Sequence, residues 1–296
     1  MKRDFLALSD FNAEEHASVF GRAAELKAAR RRGDVVHTLA GRTLLLLFEK
    51  HSTRTRLSFE AAIGQLGGTA IALPMQESQI SRGESLADTG AVASRYVDAI
   101  MYRTHGDERL RELARAATVP VINGLSDGGH PVQLLADLFT VQERFGSVRG
   151  RVVAWVGDGA SNMARSWIEA APLFGFTLRV SAPEGFRPAR AAGFDLVADA
   201  REAVRGADVV TTDVWISMGQ EKEAAARRKA FARYSVDEAL LQRAKSSAIV
   251  LHCLPAHRGE EISAGVIDGP QSAVLDEAEN RLHVQKALLE TLILRR

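Results

Sequence analysis

The chain has 296 residues, and its 38 lysines and arginines against 37 aspartates and glutamates leave a formal charge of +1. Nucleic-acid-binding proteins normally carry a surplus of positive charge, so this balance argues against that class. The longest unbroken apolar run, Leu44–Phe48, is far shorter than the roughly 20 residues of a membrane-spanning helix. A single cysteine, Cys253, excludes an internal disulfide framework and is typical of a reducing compartment. We therefore expect a cytoplasmic globular protein that binds neither nucleic acid nor membranes, and the first residues lack the apolar core of a signal peptide.

In chain order, short apolar runs alternate with longer helical patterns. The predicted strands are Thr43–Phe48, Thr69–Leu73, Asp98–Tyr102, Pro120–Ile122, Arg151–Val156, Thr177–Val180, Asp208–Thr212, Ala248–Leu251 and Ala273–Leu275. The predicted helices are Ala13–Arg31, Thr53–Leu66, Leu86–Arg95, Glu108–Ala116, Pro131–Phe145, Asn162–Phe174, Glu221–Ala232 and Glu277–Leu294. Nearly continuous apolar runs are typical of parallel strands covered by helices on both faces. The alternation predicts an α/β protein of two doubly wound domains with parallel sheets.

The domain boundary is predicted near Gly146–Gly150, where one helical pattern ends in a glycine-containing turn and a fresh strand begins. This gives a first domain of residues 1–147 and a second of residues 148–296. We expect the last helix, about 277–296, to pack back on the first domain.

The segment after the first strand has an unusual charge pattern. Ser52 is a good N-cap for the following helix, but Arg54 and Arg56 lie in its first turn, where cations oppose the helix dipole. A bound anion would reverse that effect, because free backbone N–H groups, hydroxyls and a guanidinium together hold phosphate well. The residues alone leave two interpretations open: a phosphate site, or an exposed helix start with chance basic residues.

The wider segment, FEKHSTRTRLSFE, closely resembles the carbamoyl-phosphate-binding signature of the aspartate and ornithine carbamoyltransferases. Further segments agree with this family in order and spacing, so the resemblance covers essentially the whole chain: SQISRGES, MYRTH, NGLSDGGHPVQLLADL, DVWISMGQE, HCLPAHRGEE and DEAENRLHVQKA. The DVWISMG and HCLP pair favours the ornithine branch. The resemblance departs at His51, for which we find no role, and at Ser161, where the family commonly has asparagine.

The resemblance assigns a set of residues to carbamoyl phosphate. It implies that Ser52, Thr53, Arg54 and Thr55 hold the phosphate, with Gln79 reaching in from a neighbouring subunit. Arg103 and His130 would donate to the carbonyl or bridging oxygens, and Arg281 would bind phosphate or carbonyl. Gln133 would accept from the carbamoyl NH2.

The turn Gly157–Asn162 has two interpretations. It resembles a weak G-x-G-x-x-G dinucleotide fingerprint, with Glu184 as a ribose partner, but Asn162 replaces the third glycine. The family resemblance instead makes Asn162 a ligand of the amino-acid carboxylate. It also implies that Asp213 binds the α-ammonium of ornithine, and that Ser217 and Met218 touch the carboxylate from a mobile lid.

Cys253 adjoins His252, which suggests a nucleophile and its base. Adjacent side chains of an extended segment point to opposite faces, so we expect no such dyad. The resemblance implies instead that the Cys253 sulfur lies against ornithine in the catalytic site and that the Leu254 carbonyl accepts from the carbamoyl NH2 or the attacking amine. The histidines are scattered, without metal-ligand spacing.

The resemblance implies transfer of the carbamoyl group from carbamoyl phosphate to the δ-amine of L-ornithine, giving citrulline in arginine metabolism. It implies direct attack, with no cofactor or metal, in a homotrimer or a multiple of trimers, with the active site in the cleft between the domains. Three alternatives remain: a carbamoyltransferase for putrescine or an N-acylated ornithine, a nucleotide-dependent oxidoreductase built on the Gly157–Asn162 turn, and a non-enzymatic paralogue.

Overall fold

A computed structural model describes residues 2–189, 192–217 and 219–294. The chain divides into two compact units. The first consists of two segments, one that ends at Leu135 and one that begins at Asn280, and the second is Ala136–Glu279. Both divisions fall inside helices, Pro131–Phe145 and Val274–Leu294, whereas the sequence places a boundary between residues 147 and 148. A boundary inside a helix has no glycine, proline or polar linker to mark it, so a composition shift does not reveal it.

Each unit contains one parallel sheet, as the alternation of strands and helices predicts. The strands are β1 (Thr43–Phe48), β2 (Thr69–Pro74), β3 (Ala99–Arg103), β4 (Val121–Leu125), β5 (Val152–Val156), β6 (Thr177–Ser181), β7 (Asp195–Leu196), β8 (Val209–Thr212) and β9 (Ile249–His252). The first sheet has the order β2-β1-β3-β4 and the second β7-β6-β5-β8-β9. The central strands are buried nearly throughout, since helices cover both faces of a doubly wound sheet.

The helices connect successive strands. They are α1 (Ala13–Arg32), α2 (Thr53–Gln65), α3 (Leu86–Ala93), α4 (Asp107–Ala116), α5 (Pro131–Phe145), α6 (Asn162–Phe174), α7 (Ala200–Val204), α8 (Ala224–Phe231), α9 (Glu238–Leu241), α10 (Ala264–Ile267) and α11 (Val274–Leu294). Among the described residues, no helix is both long and apolar enough to cross a membrane.

One predicted strand, Ala273–Leu275, is wrong. The Ala273 amide donates to the Val250 carbonyl of β9 at 2.9 Å, the Val250 amide donates to the Gln271 carbonyl at 2.8 Å, and the chain then turns into α11 at Val274. The apolar run therefore belongs to a helix start in which Ala273 and Val274 are buried and Leu275 is exposed, and a run of three residues carries no periodicity to separate a strand from a helix.

The strand order fixes where each unit can hold a ligand. In the first sheet β1 and β3 are neighbours, and the chain leaves β1 toward β2 on one side and leaves β3 toward β4 on the other. In the second sheet β5 and β8 are neighbours, and the chain leaves them in the same way toward β6 and β9. Loops at the carboxyl ends of two such strands separate and leave a crevice, where open α/β sheets bind ligands. The loops after β1 and β3, and those after β5 and β8, carry most of the candidate residues.

Candidate active site

The turn from β1 into α2 forms as the sequence predicts. Ser52 is the N-cap, and its hydroxyl accepts from the Thr55 amide at 3.3 Å. The two arginines of the first turn differ: exposed Arg56 pairs with Glu60 at 2.8 Å, whereas half-buried Arg54 has no carboxylate partner in the described part of the chain. With no acidic residue in that turn, the positive end of the helix is left uncompensated by the helix itself.

Three distant segments of the first unit meet at Arg281 of α11. Its guanidinium is buried and donates to the Thr55 hydroxyl at 2.9 Å and to the side-chain carbonyl of Gln133 on α5. Thr55 and Gln133 are themselves almost fully buried. This contact brings together three residues that the family resemblance assigns to carbamoyl phosphate.

His130, directly before α5, is the centre of the electrostatics here. Burial lowers its pKa well below the ordinary value, and the guanidinium charges of Arg281, Arg103 and Arg54 lower it further. The imidazole is therefore neutral near pH 7. A neutral imidazole among three guanidiniums forms a positive region that offers N–H donors to an anion or a polarised carbonyl.

Two predicted residues of this set lie apart from the Arg281 contacts. Thr53 is exposed in the first turn of α2. Gln79 is exposed at the start of the 3-10 turn Gln79–Arg82, and no hydrogen bond within the described residues joins its side chain to Arg281.

In the second unit, Asp213 follows β8 and contacts the single cysteine. The Cys253 thiol donates to Asp213 Oδ1 at 3.3 Å, and the Val214 amide donates to the same oxygen at 2.8 Å. Burial raises the pKa of the Asp213 carboxyl. Burial also raises the pKa of the Cys253 thiol well above its ordinary value, and the carboxylates of Asp213, Glu277 and Asp137 raise it further. The cysteine is a neutral donor, which disfavours a thiolate nucleophile.

The premise that His252 and Cys253 point apart is wrong. A ring nitrogen of His252, the Cys253 sulfur and a carboxylate oxygen of Asp213 all lie within 4.8 Å of one another. Both ring nitrogens of His252 have other partners: Nδ1 accepts from the Leu254 amide at 2.9 Å, and Nε2 lies 3.2 Å from Glu261 Oε1. Because Nδ1 is an acceptor, the proton of a neutral ring is on Nε2 and is donated to Glu261.

The pair of His252 and Glu261 holds an unusual turn. Leu254 is the one non-glycine residue with a positive φ, 59°, among the described residues. Glu261 also accepts from the His257 amide at 2.6 Å, so one fully buried carboxylate ties both ends of the turn. The role of Glu261 was not predicted, although the residue ends the HCLPAHRGEE segment that carries the family resemblance.

A second three-residue group, His257, Glu260 and Glu261, also has ligand atoms within 4.8 Å of one another. The sequence spacing did not suggest either group. Acidic groups commonly cluster in this way without a metal, and we assign no ion to either group.

The turn after β5 does not favour a dinucleotide. A Cβ added at Gly159 would lie 2.6 Å from Pro188 Cδ and 3.2 Å from Ala182 Cβ, so the chain's own side chains occupy the space beside that glycine. Ser161 is the N-cap of α6 and accepts from the Ala164 amide at 3.2 Å. Serine and asparagine cap equally well, which explains how serine serves where the family commonly has asparagine. Asn162 is the first residue of α6.

The loop after Asp213 is held by an interaction that sequence reasoning missed. Buried Arg227 of α8 donates to Asp158, in the turn after β5, and to the Trp215 carbonyl, and its guanidinium lies 4.6 Å from the Phe186 ring centroid. Ser217 is half-buried, and its amide donates to the Gln220 side chain at 2.9 Å. Met218 lies outside the described residues.

The fold and these residues agree with one class of protein. The chain belongs to the aspartate/ornithine carbamoyltransferase family: residues 3–143 match the model of its carbamoyl-phosphate-binding domain and residues 149–292 that of its Asp/Orn-binding domain.

Among its relatives, the ornithine carbamoyltransferase of Halorhodospira halophila is 54% identical over 99% of both chains. That of Paracidovorax citrulli is 51% identical over 99% of this chain and 96% of the relative. The solved ornithine carbamoyltransferase of Pyrococcus furiosus has a TM-score of 0.95 at 46% identity, covering 100% of this chain and 98% of that one.

Proposed function

We propose that this chain transfers the carbamoyl group of carbamoyl phosphate to the δ-amine of L-ornithine, giving L-citrulline and phosphate. The observation that carries the proposal is the neutral His130 among the guanidiniums of Arg54, Arg103 and Arg281. A dianionic phosphate and a carbonyl oxygen that becomes negative are the groups such a set of donors stabilises. The similarity to ornithine carbamoyltransferases over nearly the whole chain supports the same reaction.

In this proposal the first unit binds carbamoyl phosphate. The residues assigned to it are Ser52, Thr53, Arg54, Thr55, Gln79, Arg103, His130, Gln133 and Arg281. The amino end of α2 and Arg54 take the phosphate, and Arg281 joins that end to Gln133 through its two hydrogen bonds. The Gln133 carbonyl has a second lone pair for the carbamoyl NH2.

Catalysis consists of positioning and charge stabilisation. The neutral δ-amine forms a bond to the carbonyl carbon, the bond from that carbon to the phosphate oxygen breaks, and phosphate leaves with the amine's proton. His130 and Arg103 donate to the carbonyl oxygen as it gains negative charge. Atoms and charges balance between the two substrates, so the reaction as written needs no cofactor and no metal.

The second unit binds ornithine. Asp213 pairs with the α-ammonium, and Asn162 with the backbone of Ser217 and Met218 binds the α-carboxylate. The Cys253 thiol, held protonated, contacts the ornithine chain and fixes Asp213 Oδ1. The left-handed turn at Leu254 presents its carbonyl as an acceptor for the carbamoyl NH2 or the attacking amine.

We also propose that the protein is a cytoplasmic homotrimer that acts in arginine biosynthesis. Two apolar side chains of the first unit support an interface: Leu57 on α2 is 61% exposed, and Ile71 on the edge strand β2 is 47% exposed. In a trimer, Gln79 reaches the carbamoyl phosphate of a neighbouring subunit. The free thiol of Cys253, which the ornithine contact needs, agrees with a reducing compartment. Light scattering is expected to give about three times the mass of one chain.

A substrate panel tests the function. The purified protein is incubated with carbamoyl phosphate and L-ornithine, putrescine or N-acetyl-L-ornithine, and the ureido product and phosphate are measured. We expect citrulline from L-ornithine with one phosphate released per product. Failure to form any ureido product would refute the carbamoyl transfer, whereas preference for another amine would refute only the choice of ornithine.

A further inference from the structure

Glu49, the residue directly after β1, has a buried carboxylate with several donors. Its side chain is 5% exposed, and it accepts from the Thr104 hydroxyl at 2.6 Å, from Arg109 Nε at 2.9 Å and Nη2 at 2.6 Å, and from the Tyr102 phenol. Burial opposes its ionisation, but the hydrogen bonds from Arg109, Thr104 and Tyr102 outweigh burial and lower the pKa of Glu49. The residue is therefore a carboxylate at neutral pH.

Two of these donors are the sequence neighbours of Arg103, which is the last residue of β3. Tyr102 precedes it, Thr104 follows it, and the Glu49 amide donates to the Arg103 carbonyl at 2.8 Å. The countercharge of the carboxylate is Arg109 on α4, which is 44% exposed. Glu49 thus holds the backbone on both sides of Arg103 through groups other than the Arg103 guanidinium.

The sheet itself is irregular at this point. Tyr102 pairs with Asn123, but the register shifts and Arg103 pairs with Leu125, so Gly124 is passed over. A Cβ at Gly124 would meet the Met101 side chain, so glycine leaves room for that side chain at the irregularity. A bulge beside a site redirects a side chain and interrupts the ladder that would otherwise fix the strand. The support of Arg103 therefore comes from the other side, where β1 pairs Phe48 with Arg103 and continues into Glu49.

We propose that Glu49 is a positioning residue for Arg103: its bonds to Tyr102, Thr104 and the Arg103 carbonyl fix the bulged strand end that aims the guanidinium at the carbamoyl group. This deepens the proposed function and rests on it, since Arg103 stabilises the carbonyl oxygen there. A misplacement of about 1 Å in such a group costs on the order of a hundredfold in rate.

The test is a double-mutant cycle in the full chain. We expect Glu49→Gln to lower kcat/KM for carbamoyl phosphate by roughly ten- to a hundredfold, because the amide cannot accept from all the donors that the carboxylate serves. In an Arg103→Ala background the same substitution is expected to cost less than about threefold, because the residue it positions is gone. In an Arg54→Ala background it should keep its full cost.

Two further variants separate positioning from folding. Glu60→Gln breaks an exposed ion pair on α2 and is expected to leave kcat/KM unchanged. Tyr102→Phe removes the phenol that donates to Glu49 and tests the same role if Glu49→Gln folds poorly. We expect it to lower kcat/KM by less than Glu49→Gln does, to keep that loss in the Arg54→Ala background, and to lose most of it in the Arg103→Ala background. Equal losses in the Arg103→Ala and Arg54→Ala backgrounds, or no loss at all, would overturn the proposal.

A crystal structure of the Glu49→Gln protein gives a readout that does not depend on activity. We expect the Arg103 guanidinium to move relative to His130 while Arg54 stays in place, and an unmoved Arg103 would contradict the role. If the unmodified protein made no citrulline while this displacement occurred, the proposed function would fail and the support of Arg103 by Glu49 would stand.

Discussion

Replacing Asp213 by Asn tests how the second unit chooses its amine. Both hydrogen bonds that the described residues donate to this carboxylate, from the Val214 amide and the Cys253 thiol, go to Oδ1. Oδ2 is therefore the oxygen open to the α-ammonium. In the variant the amide oxygen replaces Oδ1 and keeps both donors, so the NH2 group replaces Oδ2 and turns a donor toward the ammonium.

The size of the effect follows from this exchange. Removing one partner of a buried, hydrogen-bonded charge pair costs roughly 2–5 kcal/mol. Because Asp213 is half-buried, we expect about 3 kcal/mol, which corresponds to a loss of about 150-fold in kcat/KM for L-ornithine. N-Acetyl-L-ornithine has no α-ammonium, so its much lower rate should change by less than about threefold.

The assay compares kcat/KM for three amines at saturating carbamoyl phosphate. The unmodified protein is expected to prefer L-ornithine at least about a hundredfold over putrescine and N-acetyl-L-ornithine, since each of these leaves a polar group of the site unpaired. That preference should nearly vanish against N-acetyl-L-ornithine in the Asp213→Asn protein. Asp208→Asn is the matched control: Asp208 is buried at the amino end of β8, bonded to Lys245 and the Val152 amide, and its loss should change stability without changing amine preference.

The same substitution has an opposite effect on folding. Because burial raises the pKa of Asp213 in the folded chain, folding takes up a proton and stability falls as pH rises through the folded pKa. Asp213→Asn removes this cost, so without ornithine the variant should resist urea better than the unmodified protein at pH 7, with the difference vanishing in acid. A variant that keeps its ornithine preference would refute the ammonium assignment, and one that is less stable at pH 7 would refute the electrostatic reasoning.

Three other substitutions test the remaining assignments. Arg54→Ala should lower kcat/KM for carbamoyl phosphate at least about a hundredfold, from the loss of charge-assisted bonds of roughly 1.5–3 kcal/mol each, without lowering the urea midpoint, and Arg56→Ala should leave both nearly unchanged. Cys253→Ser should raise the KM for L-ornithine and keep kcat within about tenfold, since the hydroxyl still donates to Asp213, and a trapped carbamoyl adduct on Cys253 would contradict direct attack. Ser161→Ala should lower the free energy of unfolding by about 1 kcal/mol, whereas Ser161→Asn should change it by less than about 0.5 kcal/mol, because only alanine removes the helix cap.

The sequence predicts the fold well where burial leaves a pattern. β1 and β3 are covered on both faces, so each is a continuous apolar run that can be recognised without any partner. The two-residue strand β7 is exposed and the helix α9 has four residues, and neither is long enough to show a period. The false strand at Ala273–Leu275 has a related cause, because three apolar residues at the start of a helix are too few to show a helical period.

The candidate sites were predicted less evenly. Thr55, Gln133 and Arg281 meet as the family resemblance implies, although more than a hundred residues separate Gln133 from Arg281. The expectation that His252 and Cys253 form no dyad agrees with the other partners of both His252 ring nitrogens. Its premise failed because β9 ends at His252 and Leu254 turns left-handed, so the alternation of an extended strand no longer applies. Supporting residues such as Glu49 gave no signal, since a buried carboxylate is identified by its donors, and these come from other strands and helices.

The two sheets use the same position for opposite charges. In the first, the guanidiniums of Arg54, Arg103 and Arg281 place positive charge beside His130, and a bound anion relieves their mutual repulsion. In the second, the ends of β8 and β9 hold a carboxylate and a protonated thiol, and burial raises the pKa of that carboxylate, so a cation lowers its cost. Each unit thus carries a charge that a substrate group of opposite sign stabilises. Both substrates are therefore selected first by the sign of their charge, and this is why neutralising a single residue on either side is expected to weaken binding and stabilise the empty fold at once.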